Sequence, residues 1–299
     1  MGYKRSRDEA MGENRPQKRD KPEQATSPYM PMFEGFREAL DEHHDRRERI
    51  IKASRDITAA SKKIIFTLQR VRKLGQTVPP FVVKGNAQYW EGIEKQYQSI
   101  AADVQGLNAY RYGNNITGGN QEFMEALSFQ HYLETQQLVS YEEAKSRIAT
   151  MSGAGGAVPL THEDYVLGIF DMVGELMRFS ITAMATNGEL PAGQPQKNEK
   201  VEQQPDGDKM DVDEQGPESS RAEEPRNVLS DLRALRLQLE MFEPAGGKFA
   251  GDVRKKAWVM RECVDKVEKA WYGLTVRGTE RPKGWVPDVR ESREGVESY

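Results

Sequence analysis

Residues 50–71, IIKASRDITAASKKIIFTLQRV, place Ile50, Ile57, Ile64 and Val71 at seven-residue intervals, with Ser54, Ser61 and Leu68 completing the stripe. Alternating steps of four and three turn one face of an α-helix toward a neighbouring helix, as in coiled coils. From about Phe33 to Leu74 the chain therefore reads as one very long helix. No stretch shows sustained period-two alternation, whereas helical period recurs throughout. A second helix is expected from Val83 to Tyr110, after the Pro79-Pro80 break and closing near Gly113. A third runs from Thr117 to Val139, and a short one lies around Tyr141 to Thr150. Another begins at Thr161, whose partner Asp164 three positions on gives a capping-box pattern. Farther on, Val228, Leu232, Leu235, Leu239 and Phe242 repeat the three-four spacing, and Ala257, Met260, Val264, Val267, Trp271 and Leu274 do so again beyond Gly246-Gly247. These spacings predict an all-α bundle of six to seven long, mostly antiparallel helices. The first helix and the Trp258/Trp271 segment carry more apolar stripe than one small bundle covers, which predicts contacts with a partner chain.

Composition divides the 299 residues into a helical domain at 33–279 and three polar segments. Residues 1–32 and 280–299 read as a disordered N-terminal tail and a flexible C-terminal tail, and 189–226 as an acidic disordered linker inside the domain; too little apolar surface is present in them to offset ordering entropy. Seven Lys/Arg stand against five Asp/Glu in the first tail, and five against eleven in the linker. With a net charge of −4 for the whole chain, the helical part is close to neutral. Bulk electrostatics thus exclude a basic nucleic-acid-binding domain. Any such affinity has to come from local patches, such as Arg46, Arg47, Arg49, Lys62 and Lys63, or from a basic partner. The single cysteine, Cys263, excludes an intrachain disulfide and a cysteine-based zinc site and is expected in the core. No segment reads as a membrane span or a signal peptide. Lys4-Arg5 followed by Lys18-Arg19 and Lys21 resembles a bipartite nuclear import signal, so cytoplasm and nucleus are the expected compartments.

Two pairs of acids stand out against this background. The Thr117–Val139 helix contains no Lys or Arg, yet carries Glu122 and Glu125 beside the apolar stripe of Ala126, Phe129 and Leu133. The helix from Thr161 carries Asp171 and Glu175 at i, i+4, on a narrow stripe with Asp164, Gly168 and Arg178; apolar residues fill the rest. Desolvating ionised carboxylates costs several kcal/mol unless a cation compensates. Four such groups on two largely buried helices could form an oxygen-rich cage for Mg²⁺ or Mn²⁺. The same spacings also occur on solvated helix faces, and Arg178 is placed to neutralise Glu175 at i+3. Composition and spacing leave both readings open. A ferritin-like di-iron site is excluded, because the acidic helices lack its Glu-x-x-His pairs.

The order of four segments carries a resemblance. FEGFREALDEHHDRRERIIKASRDITAASKKIIFTLQRV (Phe33–Val71), NQEFMEALSFQHYLE (Asn120–Glu134), DYVLGIFDMVGELMR (Asp164–Arg178) and VEKAWYGLTVRGTERP (Val267–Pro282) resemble the translin family, and within it the translin-associated factor X branch. That resemblance implies an all-α subunit that joins translin in a hetero-oligomeric shell, an endoribonuclease complex that removes passenger-strand fragments of small interfering RNA. It implies Mg²⁺, with Mn²⁺ as a substitute, single-stranded RNA as substrate, single-stranded DNA as a second ligand, and no membrane. By motif position the catalytic acids fall on Glu122, Glu125 and Asp171, with Glu175 as a fourth metal ligand or a supporting group. His131 faces away from Glu122 and is expected to be a packed or surface histidine. The alternative function is a non-catalytic adaptor that stabilises translin and modulates its nucleic-acid binding. The 189–226 linker looks longer than the family's usual connection and is expected to be tolerated on the surface.

Overall fold

The computed structural model describes residues 27–193, 226–244 and 246–277. The expected tail through residue 26, most of the expected linker and the C-terminal tail lie outside the described residues. Among those described are seven α-helices: α1 (Met30–Leu68), α2 (Pro80–Ile100), α3 (Leu107–Thr135), α4 (Tyr141–Ser152), α5 (His162–Asn187), α6 (Val228–Glu240) and α7 (Gly247–Arg277). The one β-type pairing among them is an isolated antiparallel bridge between Ala192 and Asn227. The all-α expectation holds.

The chain separates into two units, one ending at Asp45 and one beginning at Arg46. In the first, the helical turns from Met30 leave Phe33, Phe36 and Leu40 exposed. In the second, the stripe behaves as its spacing requires, for Ile50, Ser54, Ile57, Ser61, Ile64 and Leu68 are all buried. Each such Ile or Leu contributes roughly 1.5–3 kcal/mol of apolar burial. The helix itself stops at Leu68, six residues before the expected end. Val71 and Leu74 keep their places in the core without helical backbone. At the other end α1 begins at Met30, inside the stretch read as tail.

The boundary between the second and third helices also differs from expectation. Pro80 opens α2 at a position where its missing N–H costs nothing. The helix gives way at Ile100 to a short 3₁₀ turn over Ala101–Val104, and α3 starts at Leu107. Gly106 makes the break, with φ +55°. Gly113, read as a terminator, stays helical, because glycine ends a helix only where the backbone takes the left-handed turn. The acidic helix is therefore ten residues longer at its start than Thr117 implies. It ends at Gln136, which adopts φ 56° and donates its N–H to the Tyr132 carbonyl at 2.7 Å.

α5 begins as expected at Thr161, whose hydroxyl accepts the Asp164 N–H at 3.0 Å. The Asp164 carboxylate does not close the box. It is buried and accepts from Gln121 Nε2 at 3.1 Å, tying α5 to α3. α4 carries a complete box between Ser140 and Glu143. α3 packs on α5, α5 on α7, α2 on α4, and α6 on α7 and α5. None of the described helices is long and apolar enough to cross a membrane.

Candidate metal and nucleic-acid site

The site begins at a glycine. A Cβ on Gly168 of α5 would lie 2.5 Å from Met124 Cβ and 3.0 Å from the Gln121 carbonyl oxygen of α3. Only glycine lets the two backbones meet there. Asp171 sits one turn beyond Gly168, and Glu122 and Glu125 flank Met124, so the close crossing sets the two acid pairs side by side. Buried neighbours lock the rotation of both helices: Phe123, Met124 and Ala126 on α3, and Phe170, Met172, Val173 and Leu176 on α5.

All four acids, Glu122, Glu125, Asp171 and Glu175, line one cavity of about 680 Å³. Three of them have cationic neighbours. Lys62 Nζ of α1 lies 3.4 Å from Glu122 Oε1, and Arg178 Nη1 lies 3.5 Å from Glu175 Oε1. Lys256 of α7 forms a close ion pair with Asp171. Gln69, just past α1, donates to Glu175 Oε2 at 2.7 Å and to its carbonyl oxygen at 3.0 Å.

Glu125 has no hydrogen bond or ion pair among the described residues. Its own burial first, and then the charges of Asp171, Glu122 and Glu175, push its pKa up to about 8, with Lys256 opposing. Burial also raises Glu122, against the pull of Lys62. Four cations, Lys62, Arg178, Lys255 and Lys256, line the cavity beside the four acids, so the lining balances in formal charge while Glu125 is left without an ion pair among the described residues.

In kind these donors suit a hard divalent cation, being oxygen-only. In position they are not yet a closed ligand set, since no three Asp, Glu, His or Cys groups among the described residues are gathered tightly enough to hold an ion. Three of the acids are instead paired with cations, Glu122 with Lys62 of α1, Asp171 with Lys256 of α7 and Glu175 with Arg178 of α5.

Other expectations resolve less uniformly. Arg178 pairs with Glu175 as its i+3 position implied. Of the basic patch, Arg46 Nε and Arg49 Nη2 instead hold Asp103, at 3.1 and 3.0 Å, and their guanidinium groups outweigh burial to keep its pKa below the usual range. Lys63 lies over the Tyr89 ring. His131 does not line the cavity, whereas Cys263, buried as expected, contributes to its wall. Gln69 and Lys256 were not singled out from sequence: Gln69 falls within the Phe33–Val71 segment but off its apolar stripe, and Lys256 lies outside all four quoted segments.

The sequence profile of the translin family matches residues 45–278. The chain belongs to the translin family. Translin-associated protein X of Mus musculus is 29% identical over 282 residues, covering 88% of this chain and 84% of that protein. The translin-associated protein X homolog of Schizosaccharomyces pombe is 27% identical over 249 residues, covering 83% and 89%. The structure of the AfC3PO–duplex RNA complex matches this translin-family chain with a TM-score of 0.53 at 16% identity, covering 84% of it and all of the AfC3PO chain. That likeness places the fold.

Proposed function

We propose that this chain is the catalytic subunit of a metal-dependent endoribonuclease that works together with translin on single-stranded RNA. The observation that carries the proposal is the convergence of Glu122 and Glu125 from α3 with Asp171 and Glu175 from α5 on one cavity. Glu122, Glu125 and Asp171 would hold Mg²⁺ or Mn²⁺, with Glu175 as fourth ligand or support. A divalent cation there would supply Lewis acidity, lowering the pKa of a bound water and offsetting charge on the phosphorane-like transition state. The chain's own part is to orient that centre. Gln69 fixes the Glu175 carboxylate, Gly168 fixes the spacing of the two helices, and a carboxylate not engaged by metal can take the attacking water's proton.

A translin partner is supported by the names of the relatives and by exposed apolar side chains on α1, Phe33, Phe36 and Leu40, which suit coverage by another chain. Single-stranded DNA is a candidate second ligand. AfC3PO was solved with duplex RNA, so duplex is the necessary comparison substrate.

The second reading, a non-catalytic adaptor that stabilises translin, is favoured by one feature: three of the four acids already face internal cations. The two are separated by co-expressing the chain with translin and supplying single-stranded or duplex RNA with Mg²⁺ or with EDTA. Cleavage that needs Mg²⁺, prefers the single strand and disappears in Glu125→Ala supports the nuclease. Cleavage indifferent to EDTA or to the substitution leaves the adaptor.

A further inference from the structure

Phe66 is a large aromatic residue that the core does not use. It lies on the part of α1 whose next residue back, Ile65, is 7% exposed, yet Phe66 itself is 68% exposed. It lines the same cavity as the four acids. Cations surround it: Lys62 is one helical turn before it, Arg70 places its guanidinium carbon 5.6 Å from the ring centroid, and Lys256 stands among the cavity's other lining residues.

An exposed ring on a soluble helix has two common uses, protein contact and stacking. A protein partner seated on Phe66 would have to desolvate Lys62 and Arg70 along with it, which is costly without matching acids. A single-stranded polynucleotide reverses that balance, because it brings a π-face for the ring and phosphates for the flanking cations. Aromatic side chains set among Lys and Arg are how proteins bind single strands without reading sequence.

We infer that Phe66 is the stacking platform for an unpaired base, with Lys62 and Lys256 taking the adjoining phosphate at the lip of the acidic cavity. Phe66 is a binding residue, and it determines specificity: a base held in a duplex cannot present its face, so the subsite selects single strands. Lys62, with a side chain 64% exposed, can turn from Glu122 to a phosphate at little cost. The inference rests on the nucleic-acid reading of the cavity, and it does not depend on cleavage.

The test uses the full chain co-purified with translin and a short single-stranded RNA carrying one 5-iodouridine, mixed in EDTA and irradiated, with the cross-linked peptide identified by mass spectrometry. The expected product joins the nucleotide to the peptide that contains Phe66. The cross-link is lost in Phe66→Ala, kept in Phe66→Trp, and absent with the same strand annealed to its complement. Phe66→Ala is expected to weaken binding of the single strand by about tenfold, and to leave binding of an abasic strand unchanged. Since the side chain is exposed, the variant should melt with the wild type. Cross-linking confined to other peptides, or loss of translin co-purification in Phe66→Ala, would overturn the assignment. A Phe66 cross-link in a complex that never cuts RNA would support this subsite while removing the nuclease reading.

Discussion

Lys62 Nζ stands 3.4 Å from Glu122 Oε1 at the edge of the acidic cavity, with a side chain 64% exposed. An ion pair so open to water is worth at most about 1 kcal/mol. Lys62 is therefore a weak resident cation, which a divalent ion can displace. Lys62→Ala is expected to tighten Mn²⁺ binding by up to about fivefold, the factor equivalent to that energy, while weakening single-stranded RNA. Calorimetric titration with Mn²⁺ and anisotropy with labelled RNA would show the two constants moving in opposite directions.

Glu125 supplies a pH signature. Its pKa in the folded chain, about 8, lies above the ~4.3 of an unfolded glutamate, so the native state keeps a proton that the unfolded chain releases. The resulting stability is fully present below about pH 4 and is lost as pH rises toward and through 8. In EDTA, melting temperatures of the wild type should fall across that window more steeply than those of Glu125→Gln. Mg²⁺ should restore the wild type at the alkaline end, where the carboxylate is free to bind it. Parallel profiles for the two proteins would refute the assignment of this proton.

Gly168→Ala tests the helix crossing. Its methyl group would meet Met124 Cβ at 2.5 Å and backbone oxygen at 3.0 Å, and backbone cannot swing aside as a flexible side chain would. The expected cost is about 1–3 kcal/mol of stability. Divalent affinity should fall with it, since the helices that carry the acids are pushed apart. Gly174→Ala, where a Cβ meets nothing within 4 Å, is the control and should melt close to the wild type.

The ends of the acidic segment are already joined. Gly193 donates its N–H to the Arg226 carbonyl at 3.2 Å, and the Val228 N–H reaches Pro191 at 3.0 Å. Asp231 secures the junction by accepting from Tyr132, Gln136 and Arg226. Replacing residues 194–225 with a short Gly/Ser turn should leave the melting temperature within a few degrees, because loop length enters closure entropy only logarithmically. Asp231→Ala should cost about 1.5–3 kcal/mol, as buried donors lose a charged acceptor.

What was legible in the sequence follows from which forces are local. The Ile50–Val71 stripe was readable because burial imposes its period directly, and six of its seven members are exposed by no more than 3%. The exception, Ser54, is itself buried, at 8%. The helix ends were less readable, since Gly106 and Gly113 are chemically identical and only tertiary packing decides which one turns left-handed. In the same way, the absence of Lys and Arg between Thr117 and Val139 showed that Glu122 and Glu125 have no cation on their own helix segment. It could not say that Lys62 and Lys256 would approach them from α1 and α7, because those contacts join residues far apart in the chain. Phe66 shows the limit from the other side: its place next to the heptad stripe is equally compatible with a core edge and a ligand platform, and only its exposure in the fold distinguishes them.

The central claim is that α3 and α5 together hold one divalent cation. Electron paramagnetic resonance of the full chain titrated with Mn²⁺ reads that event without any substrate. The account predicts a saturable bound-Mn²⁺ signal that weakens at least tenfold in Glu125→Gln and again in Asp171→Asn, and that Mg²⁺ competes away. A wild-type chain that binds no Mn²⁺, or binds it unchanged in both variants, would contradict it.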